Sequence, residues 1–124
     1  MSNNNQLLIS LSIEIWRTKK RLIGLAEHDS DFRAKVESSF DRIQSILDDA
    51  KIEVVDHLGK PYTDGMVEEV VFFEKGDTIL PGEKIVSETI KPTIYIDKEL
   101  KSIGQIVVLI NDSAEKENED NNGK

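Results

Sequence analysis

His28 and His57 are the only histidines in the chain, and there is no cysteine. Acid–base or metal chemistry would therefore have to begin from those two rings. They fall in different predicted elements, and neither has a carboxylate or a second histidine at ligand spacing. The paired acids lead no further. Asp48 and Asp49 are adjacent, so they point in different directions around a helix. Glu68 and Glu69 fall on opposite faces of a strand, which argues against a shared proton. The basic run Arg17 to Arg21 has only Trp16 beside it. It reads as a solvated helix face, with a patch for an acidic partner as the alternative. The sequence contains no Gly-rich phosphate loop, nucleophile-elbow serine or His-Glu pair on a helix turn. Neither an enzyme nor a cofactor is expected.

Composition narrows the class. The chain has 124 residues, enough for one domain with a modest core. Lys and Arg total 16 against 24 Asp and Glu, for a formal charge of −8. That charge repels nucleic acid, whose phosphates demand a basic surface, and suits a basic protein partner. The apolar N-terminal stretch from Leu7 to Trp16 lacks a preceding basic region and a small-residue cleavage site. It contains Glu14 and ends at Arg17, so it is expected to be neither a targeting segment nor a membrane span. A cytoplasmic protein is expected.

The elements that would carry any function follow from periodicity. From Gln6 to about Glu27, Ile9, Leu11, Ile13 and Ile15 alternate like a strand. Leu8, Leu11, Ile15, Leu22 and Leu25 keep helical spacing, a stripe that Ile9, Ile13, Trp16 and Ile23 widen. Length decides for a helix, after a polar start at Ser2 to Asn5. A turn at His28 follows, with Asp29 or Ser30 as N-cap of a second helix. There Phe32, Val36, Phe40, Ile43, Leu47 and Ala50 share one face. The two helices should pack antiparallel, burying their stripes in a dimeric bundle or against a sheet. After Lys51 come short β-rich segments, 52–59, 67–74, 84–90, 93–97 and 103–110, separated by Pro/Gly turns. The apolar run Ile106 to Ile110 marks a central strand covered on both faces. The expected fold is α+β: a helical hairpin over 1–50, a small all-β domain of five to six short strands over 51–110, and a disordered acidic tail over 111–124.

From Val36 to Ile110 the chain resembles the GrpE family, the nucleotide exchange factors of DnaK-type chaperones. The resemblance rests on the order of elements and on residues at the helix-to-sheet junction. Ile52, Glu53 and Val55 match the family's Ile/Val-Glu junction, and Gly59, Pro61 and Tyr62 its Gly-x-Pro-aromatic turn. Lys91-Pro92-Thr93-Ile94 falls on a later turn, and Ile106-Val107-Val108 on the Val-rich closing strand. Two departures stand out. Lys51 replaces the junction glycine, and Glu99 and Ser102 occupy hairpin positions that are commonly arginine and face the chaperone. Lys98 and Lys101 sit one residue earlier, on the opposite face if the segment is extended.

The resemblance implies a co-chaperone that wedges open the ATPase domain of a DnaK-type chaperone through its β domain. It implies partner contacts at Tyr62, Leu80, Pro81, Lys91, Pro92, Thr93, Tyr95, Lys98, Glu99, Lys101 and Ser102. It also implies a homodimer through Leu11, Ile15, Leu22, Val36, Phe40, Ile43 and Leu47. The lost arginines leave a second expectation, an adaptor of the same fold without exchange activity.

Overall fold

Two helices open the chain because two apolar stripes are separated by a turn that caps itself. The computed structural model describes residues 2–112. Helix α1 spans Ser2–Leu25 and α2 spans Ser30–Asp49. Asp29 is the N-cap of α2, its side chain accepting the Phe32 N–H at 3.1 Å, which satisfies one otherwise orphaned donor. The first helix starts at Ser2 rather than Gln6. Polar residues build its first turn, and apolar periodicity cannot register them.

Six short strands follow: β1 Ile52–Val55, β2 Glu69–Lys75, β3 Lys84–Lys91, β4 Thr93–Ile96, β5 Glu99–Ser102 and β6 Gln105–Ile110. They form two three-stranded sheets, ordered β1-β4-β5 and β2-β6-β3. The fold is thus α+β, a helical hairpin followed by small sheets. Contacts divide it differently from the expected boundary at residue 50. Among the described residues, one compact unit holds 2–55 and 92–102, the other 56–91 and 103–112. The reason is strand pairing: β1 pairs antiparallel with β4, so part of the β region belongs with the helices.

In the first unit Ile9, Leu47, Ile52 and Ile94 form a buried cluster, with Leu8, Ile13, Ile43, Val54 and Ile96 packed against it. Each fully buried aliphatic side chain contributes about 1.5–3 kcal/mol. This core selects among the stripes of α1. Ile9 and Ser12 are buried, whereas Leu11 and Leu25 are 52% and 80% exposed. Ile9 and Ile13, which only widened the expected stripe, meet the core together with Leu8 of the main stripe. The rest of that stripe is partly exposed to water. In α2, Val36 and Leu47 are buried, Phe40 and Ile43 half-buried, and Phe32 exposed. Packing on the sheet, one of the two arrangements open from sequence, therefore holds for Ile43 and Leu47.

In the second unit Val86, Ile106 and Val108 are buried, and Tyr62, Met66, Val70 and Ile110 pack on them. Strand β6 is central, parallel to β2 and antiparallel to β3, as its apolar run requires. Asn111, placed in the tail by composition, is buried. Its side chain donates to the Ile79 carbonyl at 2.8 Å, and its own carbonyl accepts the Gly82 N–H at 2.8 Å. A polar residue whose groups are all bonded can sit inside a fold. The rest of the expected acidic tail, residues 113–124, lies outside the described residues. Among those described, no helix is long and apolar enough to cross a membrane.

Candidate functional site

The β4–β5 hairpin is closed by two residues, Asp97 and Lys98, between the paired Ile96 and Glu99. Both have positive φ, 55° and 68°, the combination a two-residue hairpin with the sheet's right-handed twist demands. Glycine and asparagine are the usual residues for such turns. Lysine there carries a cost of about 1–2 kcal/mol from its Cβ. The only other non-glycine residue with positive φ among those described is Lys51, at 60°. It follows Ala50, the C-cap of α2, at the position where helices most often place glycine. The two strained segments are joined, since the Asp97 N–H donates to the Lys51 carbonyl at 2.9 Å.

These three residues line one groove with Asp48, Ile52 and Glu53, about 420 Å³ in volume. Strained backbone that persists because its surroundings hold it is a feature of ligand clamps and switch segments. The walls carry three carboxylates and two ammonium groups, next to the negative end of α2. Such walls suit charged side chains of a protein partner. They hold no nucleophile paired with a base, and among the described residues no group of three His, Asp or Glu could hold a metal ion.

Replacing Lys51 by glycine is expected to raise stability by about 1 kcal/mol, because the left-handed conformation then carries no Cβ penalty. For a domain of this size that is roughly a 4 °C rise in melting temperature. A melting point that stays put or falls would show that the Lys51 side chain offsets its own strain.

The residues expected to meet a partner divide sharply. Lys98 and Glu99 are exposed at the hairpin, as is Lys101, while Tyr95 and Ser102 are half-buried. Pro92 and Thr93 are fully buried, so they position β4 and offer no contact surface, a correction to the expectation. The hairpin charges are also rearranged. Lys101 lies 3.0 Å from Glu99 and pairs with it; the two are two positions apart, where alternation along an extended strand puts them on one face. A bulge follows: Leu100 pairs with Tyr95 and Ser102 with Ile94, leaving Lys101 as the extra residue and Ser102 on the face of Glu99. Lys98 is in the turn and not extended.

Tyr62, Leu80, Pro81 and Lys91 belong to the other unit. Tyr62 is half-buried, its N–H donating to Lys84 and its ring edge-on to Phe73 at 6.2 Å. Leu80 is 69% exposed, in a turn held by its N–H donating to Glu83 Oε1 at 2.7 Å. Lys91 is half-buried at the end of β3. Of the residues expected to dimerise, Val36 and Leu47 are buried within the chain, Ile15, Leu22, Phe40 and Ile43 are partly so, and Leu11 is exposed.

Sequence reading missed one ionisable pair. His57 Nε2 lies 3.7 Å from Glu68 Oε2, with only 3% of the Glu68 side chain exposed. Eleven positions in chain order separate them, so no local spacing could have found the contact.

No model of a known protein family matches this chain, and a search of curated proteins returns no match either.

Proposed function

We propose that this protein is a co-chaperone: a nucleotide exchange factor that docks on the ATPase domain of a DnaK-type chaperone in the cytoplasm and favours its open, ADP-releasing form. The observation that carries the reading is the strained β4–β5 hairpin, tied to the end of α2 through Asp97 and Lys51. It lies where the resemblance to the GrpE family puts chaperone contact. An exchange factor needs no catalytic group. It must bind the open form more tightly than the closed one, and only that difference accelerates release. Moving an equilibrium from 1:99 to 99:1 takes about 5.5 kcal/mol of differential binding. A wedge already held in shape loses little entropy on docking, so more of its contact energy goes to that difference. In this reading the chain works as a homodimer through the faces of α1 and α2 that its own core leaves open, where Leu11, Leu25 and Ile46 are exposed.

The test is release of labelled ADP from a DnaK-type ATPase domain. The wild-type protein is expected to accelerate it, and replacing Lys98 and Lys101 together by glutamate is expected to reduce the acceleration about tenfold, the effect of about 1.4 kcal/mol. Both lysines are exposed, so the melting temperature should hold. No acceleration by saturating wild-type protein rejects the reading for that chaperone.

A second reading, an adaptor without exchange activity, is favoured by the Glu99–Lys101 ion pair. It neutralises charge on the strand where the family presents arginines. Here a pull-down recovers one stable partner while nucleotide release is unchanged, and fast release with a standard DnaK would rule it out.

A further inference from the structure

The second unit ends in an open strand of unusual chemistry. Among the described residues strand β2 is the last strand of the β2-β6-β3 sheet, with β6 on one side only. Edge strands are normally blunted by lysine or proline. In β2 three consecutive apolar residues, Val71, Phe72 and Phe73, are 43%, 60% and 48% exposed, and no charge lies between Glu69 and Glu74.

A bulge sorts these side chains. Val70 pairs with Ile106 and Phe72 with Val107, so Val71 is the extra residue. Beyond it alternation resumes, and Glu69, Phe72 and Glu74 share one face because their β6 partners are Gln105, Val107 and Leu109. Without the bulge Glu69 would share a face with Val71 and Phe73. The edge therefore reads acid, aromatic, acid on one face, with Val70 and Phe73 on the other. Glu69 accepts from the Gln105 side-chain amide at 2.8 Å. Among the described residues neither Glu69 nor Glu74 has an ion-pair partner, and Lys75 pairs with Asp112 instead, at 3.3 Å.

We infer that the free edge of β2 is a docking strand for an extended segment of another protein, with basic residues flanking an apolar centre, paired main chain to main chain. This goes beyond the proposed exchange function and does not depend on it. Backbone pairing along an edge supplies affinity, and alternate side chains supply selectivity. Opposite Glu69 and Glu74 the added strand carries lysine or arginine, and opposite Val70, Phe72 and Phe73 it carries aliphatic residues. Each cross-strand pair of this kind adds to the pairing. The same charges disfavour a second copy of this chain as the occupant in its two symmetric registers. With Val71 bulged out of the count, two β2 strands paired antiparallel about Phe72 set Glu69 against Glu74, and paired parallel in register they set each glutamate against itself.

The probe is a fluorescein-labelled peptide with Arg-Ile-Val-Ile-Arg at its centre and Gly-Ser flanks, followed by fluorescence anisotropy with the full chain. Saturable binding is expected. It should weaken at least tenfold for a peptide with proline at the central position, which lacks the backbone donor. It should weaken as much for the Glu69→Lys, Glu74→Lys double variant, which should instead prefer the peptide with glutamates at both arginine positions. An unchanged melting temperature establishes that the double variant is folded. Absence of saturable binding, equal affinity for the proline peptide, or a folded double variant that keeps its preference for the basic peptide each overturns the inference. So does a Phe72→Lys variant that changes oligomeric state while binding the peptide as before, since the edge is then covered by a second copy.

Discussion

Replacing Ile94 by alanine is expected to remove about 3 kcal/mol of folding stability, within the 2–5 kcal/mol range for buried aliphatic truncations. Ile94 is fully buried on β4, the middle strand of its sheet, in one cluster with Ile9 of α1, Leu47 of α2 and Ile52 of β1. The cavity left behind touches all four elements, and none can collapse into it alone. A small domain has only about 5–15 kcal/mol in total, so the loss is a large share, readable as a shift in the urea midpoint. Ile106→Ala provides the comparison in the other cluster. The two clusters share no residue, so the double variant should lose the sum of the single losses to within about 0.5 kcal/mol. An Ile94→Ala loss below about 1 kcal/mol would mean that the helices do not depend on this contact.

Asp56→Ala is expected to cost about 2–3 kcal/mol, because one carboxylate oxygen closes two hydrogen bonds. Asp56 Oδ1 accepts from Thr89 Oγ1 at 2.6 Å and from the Leu58 N–H at 2.9 Å. Thr89 is buried on β3, so losing the carboxylate deprives a buried hydroxyl of that acceptor. The bond to Thr89 spans 33 positions of the chain and fixes where the segment after β1 meets β3. Thr89→Val should cost less, since Asp56 keeps the Leu58 bond. A double-mutant cycle should return a coupling of about 1.5 kcal/mol, the scale for a hydrogen bond to a charged group. A coupling near zero would reduce the 2.6 Å contact to coincidence of placement.

The two predictions also mark how far the sequence could be read. Helix α2, its cap at one of two candidates, Asp29 or Ser30, and the central position of β6 were all legible, because each is written in neighbouring residues: an apolar period, a capping side chain beside the first turn, an unbroken apolar run. The hairpin was expected in the right part of the chain, but its chemistry was not. A bulge at Lys101 puts Ser102 on the face of Glu99, where plain alternation separates them, and a bulge is decided by what the partner strand offers.

By itself the sequence determined the order of elements and the α+β class, since these follow from local period, turn residues and composition. Only the tertiary structure decided which stripe of α1 is buried, that β1 and β4 join the helices in one unit, and that Lys51, Asp97 and Lys98 share a groove. Only it brought His57 to Glu68 and Asp56 to Thr89. The physical reason is the same in each case. Alternative faces and pairings cost nearly the same locally, and contacts between residues tens of positions apart select one of them. The hairpin proposed for chaperone contact is tied to the end of α2 because an amide at Asp97 finds a carbonyl at Lys51, a meeting that no spacing along the chain encodes.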